Sequence, residues 1–168
     1  MVEMRLVDVR VSLPTNAPVV LLEELTGART LFIFIGTPEA DAIAKAMRGT
    51  VPPRPLTHDL FRDVLTGLGA EVERVVVTEL RTDGEGNGTF FAELHLRLGE
   101  RQLVVSSRPS DAIALAVRTA SPIFVEDAVL DAEAVYLQHG DGEEGEDDAL
   151  VEQFHDFIEG IRPEDFAS

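Results

Sequence analysis

The amino-acid sequence predicts an α+β fold with a mainly antiparallel sheet and helices packed on one of its faces. Segments that alternate apolar and polar residues follow one another with only short turns between them, as in antiparallel sheets. Segments with helical periodicity, led by proline or threonine, follow these strands. Two of the helices are rich in alanine, whose small side chain allows close approach to a sheet. With 168 residues, 45% of them hydrophobic, the chain can form one core.

The first part of the chain predicts three strands and then a helix. The strands are predicted at 3–12, 18–24 and 29–36, and the last two form a hairpin closed around Thr26-Gly27. In the helix, Thr37 suits the N-cap, Pro38 the first helical position and Glu39 the positive end of the helix dipole. This helix is expected to end near Gly49.

A second helix is predicted after a stiff, proline-rich connector at 52–55. Thr57 suits its N-cap, and the helix is expected to end near Leu68. Its apolar residues share one face, which predicts that this face packs on the core; they are Leu60, Phe61, Val64, Leu65 and Leu68. The polar residues left on the opposite, solvent-facing side are His58, Asp59, Arg62 and Asp63.

The second part of the chain repeats the order of the first. Strands are predicted at 72–82, 88–98 and 101–107, with turns at 83–88 and 98–100. A third helix, from Pro109 to about Ala120, is apolar almost all round and is therefore expected to be buried. A short buried strand at 122–125 and a helical turn at 127–133 follow.

A recurring order of elements predicts an internal duplication. Three strands and a proline-led helix occur twice, and the two helices share a similar hexamer, at 41–46 and at 111–116. Alanine-rich helices can also resemble each other by chance, and the sequence leaves both explanations open.

The excess negative charge is concentrated near the C-terminus. The whole chain has a net charge of −17, and residues 141–168 hold 11 acids against one base, Arg162. A broad basic face for nucleic acid is therefore not expected. We predict one folded domain at 1–138 and an acidic linker with a C-terminal helix at 139–168.

The predicted C-terminal helix is amphipathic. Apolar residues recur at helical spacing; they are Leu150, Val151, Phe154, Phe157 and Ile158. Two interpretations stay open: the helix docks on its own domain or on a sister subunit, or it binds another protein.

Several classes of protein are not expected. Charges at Glu3, Arg5 and Asp8 interrupt the apolar stretch that a signal peptide needs, and the longest apolar run, at 31–35, cannot cross a membrane. Cysteine is absent, which excludes disulfides and thiolate metal sites. We therefore expect a cytoplasmic protein that does not contact a membrane.

Polar residues that can perform chemistry are concentrated at the three helix starts. Residues 54–60 contain Arg54, Thr57, His58 and Asp59; residues 107–111 contain Arg108, Ser110 and Asp111; and the first helix adds Glu39. Helix N-termini present free N–H groups and a positive dipole, which suit phosphate. The arginines and hydroxyls could bind phosphate oxygens. His58 could transfer protons, and Glu39, Asp59 and Asp111 could hold Mg²⁺ or Mn²⁺.

The same residues also have an ordinary structural interpretation. Thr57, Ser110 and Asp111 are common in the first turn of a helix, and Arg108 could pair with Asp111 for stability alone. No motif of high specificity for a metal or a nucleotide occurs in the chain, so the fold must assemble any site.

Three segments together resemble the bifunctional nuclease domain family. They are Arg54-Pro-Leu-Thr-His-Asp-Leu60, Ser107-Arg-Pro-Ser-Asp-Ala-Ile-Ala-Leu-Ala116 and Pro122-Ile-Phe-Val125, and Ile35-Gly36 with residues 39–44 is similar to the family's first helix. The resemblance covers about residues 3–130. One departure is Ser106, where many members carry an acidic residue that could support a metal site.

The resemblance implies a compact α+β domain that self-associates, and we expect a dimer. It indicates that the domain at 1–138 is bifunctional-nuclease-like, and it implies activity on DNA and RNA. The corresponding hypothesis is metal-assisted hydrolysis of phosphodiester bonds without strong sequence preference, in which the bound metal activates water. Its site residues would be Glu39, Arg54, His58, Asp59, Arg108, Ser110 and Asp111. The sequence leaves an alternative open, a noncatalytic regulatory or scaffold domain that binds a small anion, a nucleotide or a partner protein.

Overall fold

A seven-stranded sheet forms the centre of the molecule. The computed structural model describes residues 1–13, 15–84 and 88–136. The strands are β1 (Val2–Val11), β2 (Pro18–Glu24), β3 (Thr30–Phe34), β4 (Ala70–Thr82), β5 (Gly88–Leu98), β6 (Arg101–Ser107) and β7 (Ile123–Val125). Their order in the sheet is β3-β2-β1-β7-β4-β5-β6. Every pair of neighbours is antiparallel except β4 and β7, so the predicted mainly antiparallel sheet is confirmed.

Four helices accompany the sheet and confirm the α+β class. They are α1 (Thr37–Met47), α2 (Thr57–Gly67), α3 (Pro109–Thr119) and α4 (Asp127–Glu133). The order of strands and helices agrees with the sequence prediction, with ends that differ by one or two residues. Gly36 and Leu56, rather than Thr37 and Thr57, are the N-caps of α1 and α2, so those two capping predictions are wrong by one position.

The strands fall into two similar halves on either side of β7. Strands β1–β3 form one antiparallel group followed by α1, and β4–β6 form another, after which α3 follows. This arrangement has the predicted order of elements. Descent of the two halves from one duplicated unit is not confirmed and stays a prediction.

Helix α3 lies in the core, as its apolar sequence predicts. Ile113 and Leu115 are fully buried, with Leu22 and Leu31 from β2 and β3 and Val75 and Val77 from β4 in the same cluster. Full burial of one such side chain stabilises the fold by about 1.5–3 kcal/mol. The core therefore holds the N-terminus of α3, which carries Arg108, Ser110 and Asp111, in a defined position.

Helix α2 exposes most of the face that was predicted to be buried. Of its apolar residues only Leu65 is buried, whereas the others are exposed to solvent; they are Leu60, Phe61 and Val64, with Leu68 at the C-cap. Instead, the His58 and Asp59 side chains, predicted to face solvent, are only 12% and 15% exposed. The prediction was wrong because polar partners on α3, which lie far away in the sequence, determine which face is buried.

Arg118, in the last turn of α3, joins three helices. Its side chain is 4% exposed. Nε donates a hydrogen bond to Oδ1 of Asp59 on α2 at 2.6 Å, and Nη2 donates to the Ala42 carbonyl of α1 at 3.0 Å. Nη1 donates to the Ala114 carbonyl of α3 at 2.8 Å. Because a buried guanidinium without partners is very unfavourable, these contacts fix α2 against α1 and α3.

Some of the predicted elements lie outside the described residues. The acidic linker and the amphipathic helix predicted within 139–168 fall outside the described residues and stay predictions, as does part of the turn at 83–88. Within the described ranges, no helix is long and apolar enough to cross a membrane.

Replacement of Arg118 by methionine should destabilise the fold strongly. The substitution leaves the Asp59 carboxylate without its charged partner, and breaking such a pair costs about 3–5 kcal/mol. We expect this loss in the free energy of unfolding, measured by urea denaturation with circular dichroism. The control is Arg62→Met, because Arg62 pairs with Asp63 in an exposed position where about 0–1 kcal/mol is expected. Equal stability of the two variants would contradict the role assigned to Arg118.

Candidate functional site

The starts of α1, α2 and α3 bring four of the predicted site residues together. Oδ1 of Asp111 lies 3.0 Å from Nε2 of His58 on α2. The Arg108 guanidinium donates to both oxygens of Asp111, from Nε at 2.7 Å and from Nη2 at 3.1 Å. Nη2 of Arg108 also lies 3.0 Å from Oε1 of Glu39 on α1. One polar cluster, Glu39–Arg108–Asp111–His58, therefore connects the three helices.

Local backbone structure explains how each helix presents its residue. Pro38 and Pro109 lie in the first turns of α1 and α3, where the missing N–H of proline is harmless. Arg108 is the N-cap of α3, and Asp111 lies in the first turn. Oε2 of Glu39 lies close to Gly36, so a side chain at residue 36 would displace the Glu39 carboxylate. The Arg-Pro element therefore places the arginine directly beside a first-turn carboxylate.

Hydrogen bonds favour the ionised forms of Asp111 and Arg108. Burial alone would raise the pKa of Asp111, but hydrogen bonds from Arg108 and His58 outweigh that effect and hold the pKa below its usual value of 3.8. The hydrogen bond to Asp111 in turn raises the pKa of Arg108 further above its usual value. Arg108 is nevertheless 65% exposed, so its guanidinium is accessible to an anion from solvent.

The contact with Asp111 favours one tautomer of the His58 ring. Oδ1 of Asp111 can accept a hydrogen bond from Nε2–H, and in that tautomer Nδ1 is the nitrogen with a free lone pair. No hydrogen bond occupies Nδ1 within the part of the chain that the structure describes. This is the arrangement in which a carboxylate orients an imidazole for proton transfer.

Asp59 lies in a separate set of contacts. Its Oδ1 accepts from Arg118, and its Oδ2 accepts from the Leu56 backbone N–H at 2.9 Å, which caps the start of α2. Burial would raise the pKa of Asp59, but these two hydrogen bonds hold it below the usual value. The structure thus gives Asp59 structural partners and does not place it in contact with Glu39 or Asp111.

The three predicted metal ligands are divided between two arginines. Glu39 and Asp111 both contact Arg108, whereas Asp59 contacts Arg118. Among the described residues, no group of three or more histidine, aspartate or glutamate side chains is placed to hold a metal ion. As arranged, these carboxylates therefore do not fit a Mg²⁺ or Mn²⁺ site, which needs several oxygen ligands around one position. A requirement for either metal stays a prediction.

The remaining predicted residues differ in their positions. Ser110 lines the same cleft as Glu39 and Arg108 and is 6% exposed. Arg54 and Thr57 are exposed just before and at the start of α2, and their side chains have no hydrogen bond or ion pair among the described residues. Their predicted role as phosphate-binding residues stays a prediction.

Sequence reasoning missed two contributors to the site. Arg118 orients α2, and the sequence contained a signal for it, since it is the only basic residue within α3 and follows a run of apolar residues. Phe90, on β5, lines the cleft beside Arg108. No local pattern indicates that role, because the cleft forms only when β5 and α3 are both in place.

Comparison with known proteins decides the family. The model of the bifunctional nuclease domain family matches residues 20–138, which include the whole cluster. The chain belongs to this family. The predicted resemblance is therefore confirmed.

Relatives from plants and from a bacterium differ in their sequence identity to this chain. The bifunctional nuclease 2 of Arabidopsis thaliana is 33% identical over 132 residues, which are 77% of this chain and 36% of the plant protein. The bifunctional nuclease 1 of Oryza sativa subsp. japonica is 29% identical over 124 residues, or 72% of this chain and 36% of that protein. An uncharacterized protein of Mycobacterium tuberculosis is 44% identical over 168 residues, covering 98% of this chain and 97% of the relative.

Stability should decrease in acid through Asp111. Its pKa in the folded protein lies below the value of 3.8 that it has when unfolded, so the unfolded chain takes up a proton first as the pH falls. Asp111 contributes fully to stability well above pH 3.8. This contribution is lost as the pH falls through the lower pKa that Asp111 has in the folded protein. We expect Asp111→Asn to reduce the dependence of unfolding free energy on pH below about pH 4, by at most about 1.4 kcal/mol per pH unit.

Glu133, whose pKa is shifted in the opposite direction to that of Asp111, provides the comparison. Burial raises the pKa of Glu133 above its usual value of 4.5, so the folded protein binds this proton first. Glu133→Gln should therefore steepen the acid loss of stability, as measured by urea denaturation from pH 7 to about pH 3. If both variants changed the pH dependence in the same direction, the electrostatic assignment would be wrong.

Proposed function

We propose that this family member is a nuclease that hydrolyses phosphodiester bonds of DNA and RNA, without strong sequence preference, at the Glu39–Arg108–Asp111–His58 cluster. The observation that carries the proposal is the exposed Arg108 guanidinium, held 2.7 Å from Asp111 beside the His58–Asp111 pair. Membership of the family, and the nucleases of Arabidopsis and rice that are similar to the chain, support it.

Arg108 is suited to bind the reacting phosphate. A guanidinium can donate two parallel hydrogen bonds to phosphate oxygens, and the first-turn N–H groups of α3 lie beside it. Negative charge grows on those oxygens as water attacks phosphorus, so a fixed cation at this position stabilises the transition state more than the substrate. Glu39, on the other side of the guanidinium, holds it in place.

His58 can transfer the proton that hydrolysis requires. A bond forms between the water oxygen and phosphorus while the bridging P–O bond breaks. Nδ1 of His58 accepts a proton from the water and returns it to the departing oxygen, which leaves as a hydroxyl. Asp111 stabilises the imidazolium that exists between these two transfers.

Arg54 and Thr57 extend the proposed site along the start of α2. Both residues precede His58 in the sequence and are exposed. We assign to them the binding of a second phosphate, adjacent to the reacting one in the same strand. Asp59 acts as a positioning residue, since its pair with Arg118 holds the helix that carries His58.

Replacement of Arg108 should abolish most of the cleavage. We expect Arg108→Gln to lower kcat about 100- to 1000-fold on single- and double-stranded DNA and RNA, because one fixed donor to the transition state is lost. His58→Gln should lower it by about 100-fold or more. Each rate is measured with Mg²⁺, with Mn²⁺ and with EDTA, which tests the predicted metal requirement at the same time.

The matched control is Arg101→Gln. Arg101 is also an exposed arginine, at the start of β6, and its side chain has no ion pair within the described ranges. Arg101→Gln should cleave like the wild-type protein when it is purified identically, and a loss confined to the Arg108 and His58 variants then excludes a contaminating nuclease. Equal cleavage by all of these proteins, or none by any, would overturn the proposed function.

A second candidate function, a binding module for an amphipathic segment, is favoured by the exposed apolar face of α2. Within the described residues, nothing covers Leu60, Phe61 and Val64. Residues 45–68 carry four bases and two acids, whereas residues 141–168 have a large acidic excess. The C-terminal segment 148–160 of the same chain, with its helical apolar pattern, is complementary to this face in polarity and charge.

The linker is long enough for this contact. The described chain ends at Tyr136, and the 11 residues 137–147 separate it from the segment. Extended, they span about 36 Å, compared with a radius of gyration of about 14 Å for a domain of this size. The extended linker can therefore span more than twice the radius of gyration of the domain.

The absence of cysteine allows a direct test of this docking. A single thiol introduced as Val64→Cys should react slowly with an alkylating reagent if the segment covers it, and about tenfold faster when Phe154→Asp and Phe157→Asp are added. The control thiol, Val51→Cys, lies at a position that is 89% exposed and should be unaffected. Fast reaction in the parent protein, or protection that increases with protein concentration, would contradict docking within one chain.

A further inference from the structure

An apolar cleft lies directly beside the Arg108 cluster. It has a volume of about 500 Å³ and lies where the end of β3 and the starts of α1, β5 and α3 meet. Its apolar wall includes Ile33, Phe34, Ile35 and Phe90, and its polar wall includes Glu39, Arg108 and Ser110. The proposed hydrolysis uses the polar wall and leaves the apolar wall without a role.

The size and chemistry of the cleft fit one nucleobase with its sugar. Sites for small organic ligands have volumes of about 300–1000 Å³ and are lined mostly by apolar side chains with a few polar groups. An aromatic ring such as that of Phe90 can stack on the face of any base, which contributes about 1–3 kcal/mol per base without sequence preference. The apolar wall would therefore recognise a base by its shape and not by its identity.

The polar wall provides the partners for the phosphate of that nucleotide. The Arg108 guanidinium is exposed to solvent. Ser110 lines the same cleft, and its hydroxyl has no hydrogen-bond partner among the described residues. This hydroxyl can therefore donate a hydrogen bond to a phosphate oxygen in the cleft. The Glu39 carboxylate faces the same space, and its pairing with Arg108 reduces repulsion of the phosphate.

The net charge of the protein makes this base contact important. With a charge of −17, the protein gains little affinity from neutralising phosphates along a strand. Stacking of a base in an apolar cleft does not depend on that charge. A base in a duplex is already stacked and paired, and extruding it costs a few kcal/mol.

We propose that this cleft binds one unstacked nucleobase, with its phosphate on Arg108 and Ser110, and that the preferred ligand is therefore single-stranded nucleic acid. The proposal rests on the proposed function for its choice of ligand class, because it assigns the base next to the phosphate that Arg108 binds. In this proposal the cleft recognises the base of the substrate, whereas the Glu39–Arg108–Asp111–His58 cluster recognises only its phosphate.

The test compares strands that have equal phosphates and different bases. Binding of the full-length protein to a short DNA strand, to the same strand without any bases, and to the corresponding duplex is measured by calorimetry, and the strands are recovered to confirm that they are intact. We expect affinity for the strand with bases to exceed that for the abasic strand and the duplex by about 5- to 150-fold. Equal affinity for the strands with and without bases would overturn the proposal.

Two neighbouring phenylalanines provide matched variants. Phe90→Ala should reduce the affinity for the strand with bases to that for the abasic strand. Phe91 lies on the opposite face of β5, where the Arg81 guanidinium stacks 4.1 Å from its ring centroid, so Phe91→Ala should bind like the wild-type protein. A loss in both variants, or in neither, would contradict the assignment of Phe90, and the abasic strand tests the cleft even if Phe90→Ala fails to fold.

Cleavage by the same preparations separates this proposal from the proposed function. If the wild-type protein binds the strand with bases selectively but never cleaves, the proposed base site is supported and the proposed nuclease activity is overturned. If it cleaves but binds the strands with and without bases equally, the nuclease activity is supported and the base site is overturned.

Discussion

The buried guanidinium of Arg118 is the constraint on which the arrangement of the helices depends. A cation removed from water needs hydrogen-bond acceptors on several sides, and α1, α2 and α3 each provide one. To satisfy it, α2 must turn Asp59 inward, and its neighbour His58 then comes within 3.0 Å of Asp111. The same rotation exposes most of the apolar face of α2. A contact that stabilises the fold therefore also assembles the candidate site.

One arginine serves both carboxylates of the site. Arg108 contacts two carboxylates and remains largely exposed, so it can exchange one of these partners for a phosphate without first leaving a buried position. The division of the three carboxylates between Arg108 and Arg118 keeps the predicted metal ligands apart. In a strongly acidic protein, a local cation of this kind can attract a phosphate that the rest of the surface repels.

Family membership and the geometry of the site provide two different kinds of support for the proposed function. The family match covers most of the domain and names a class of activity, whereas the distances between His58, Asp111, Arg108 and Glu39 indicate which groups could perform it. The exposed face of α2 and the apolar cleft beside Arg108 are features that neither the nuclease assignment nor the core requires. Unsatisfied apolar surface of this kind usually marks a place where something binds.

Local sequence determined the order of strands and helices, because alternation, helical periodicity and proline positions act over a few residues. It also determined the burial of α3, since Ile113, Leu115 and their neighbours leave no polar face to expose. Only the tertiary structure decided which face α2 buries. Asp59 and Arg118 are 59 residues apart, and periodicity within α2 carries no information about a partner on another helix. For the same reason the sequence grouped Asp59 with Asp111 and Glu39, whereas the fold separated them.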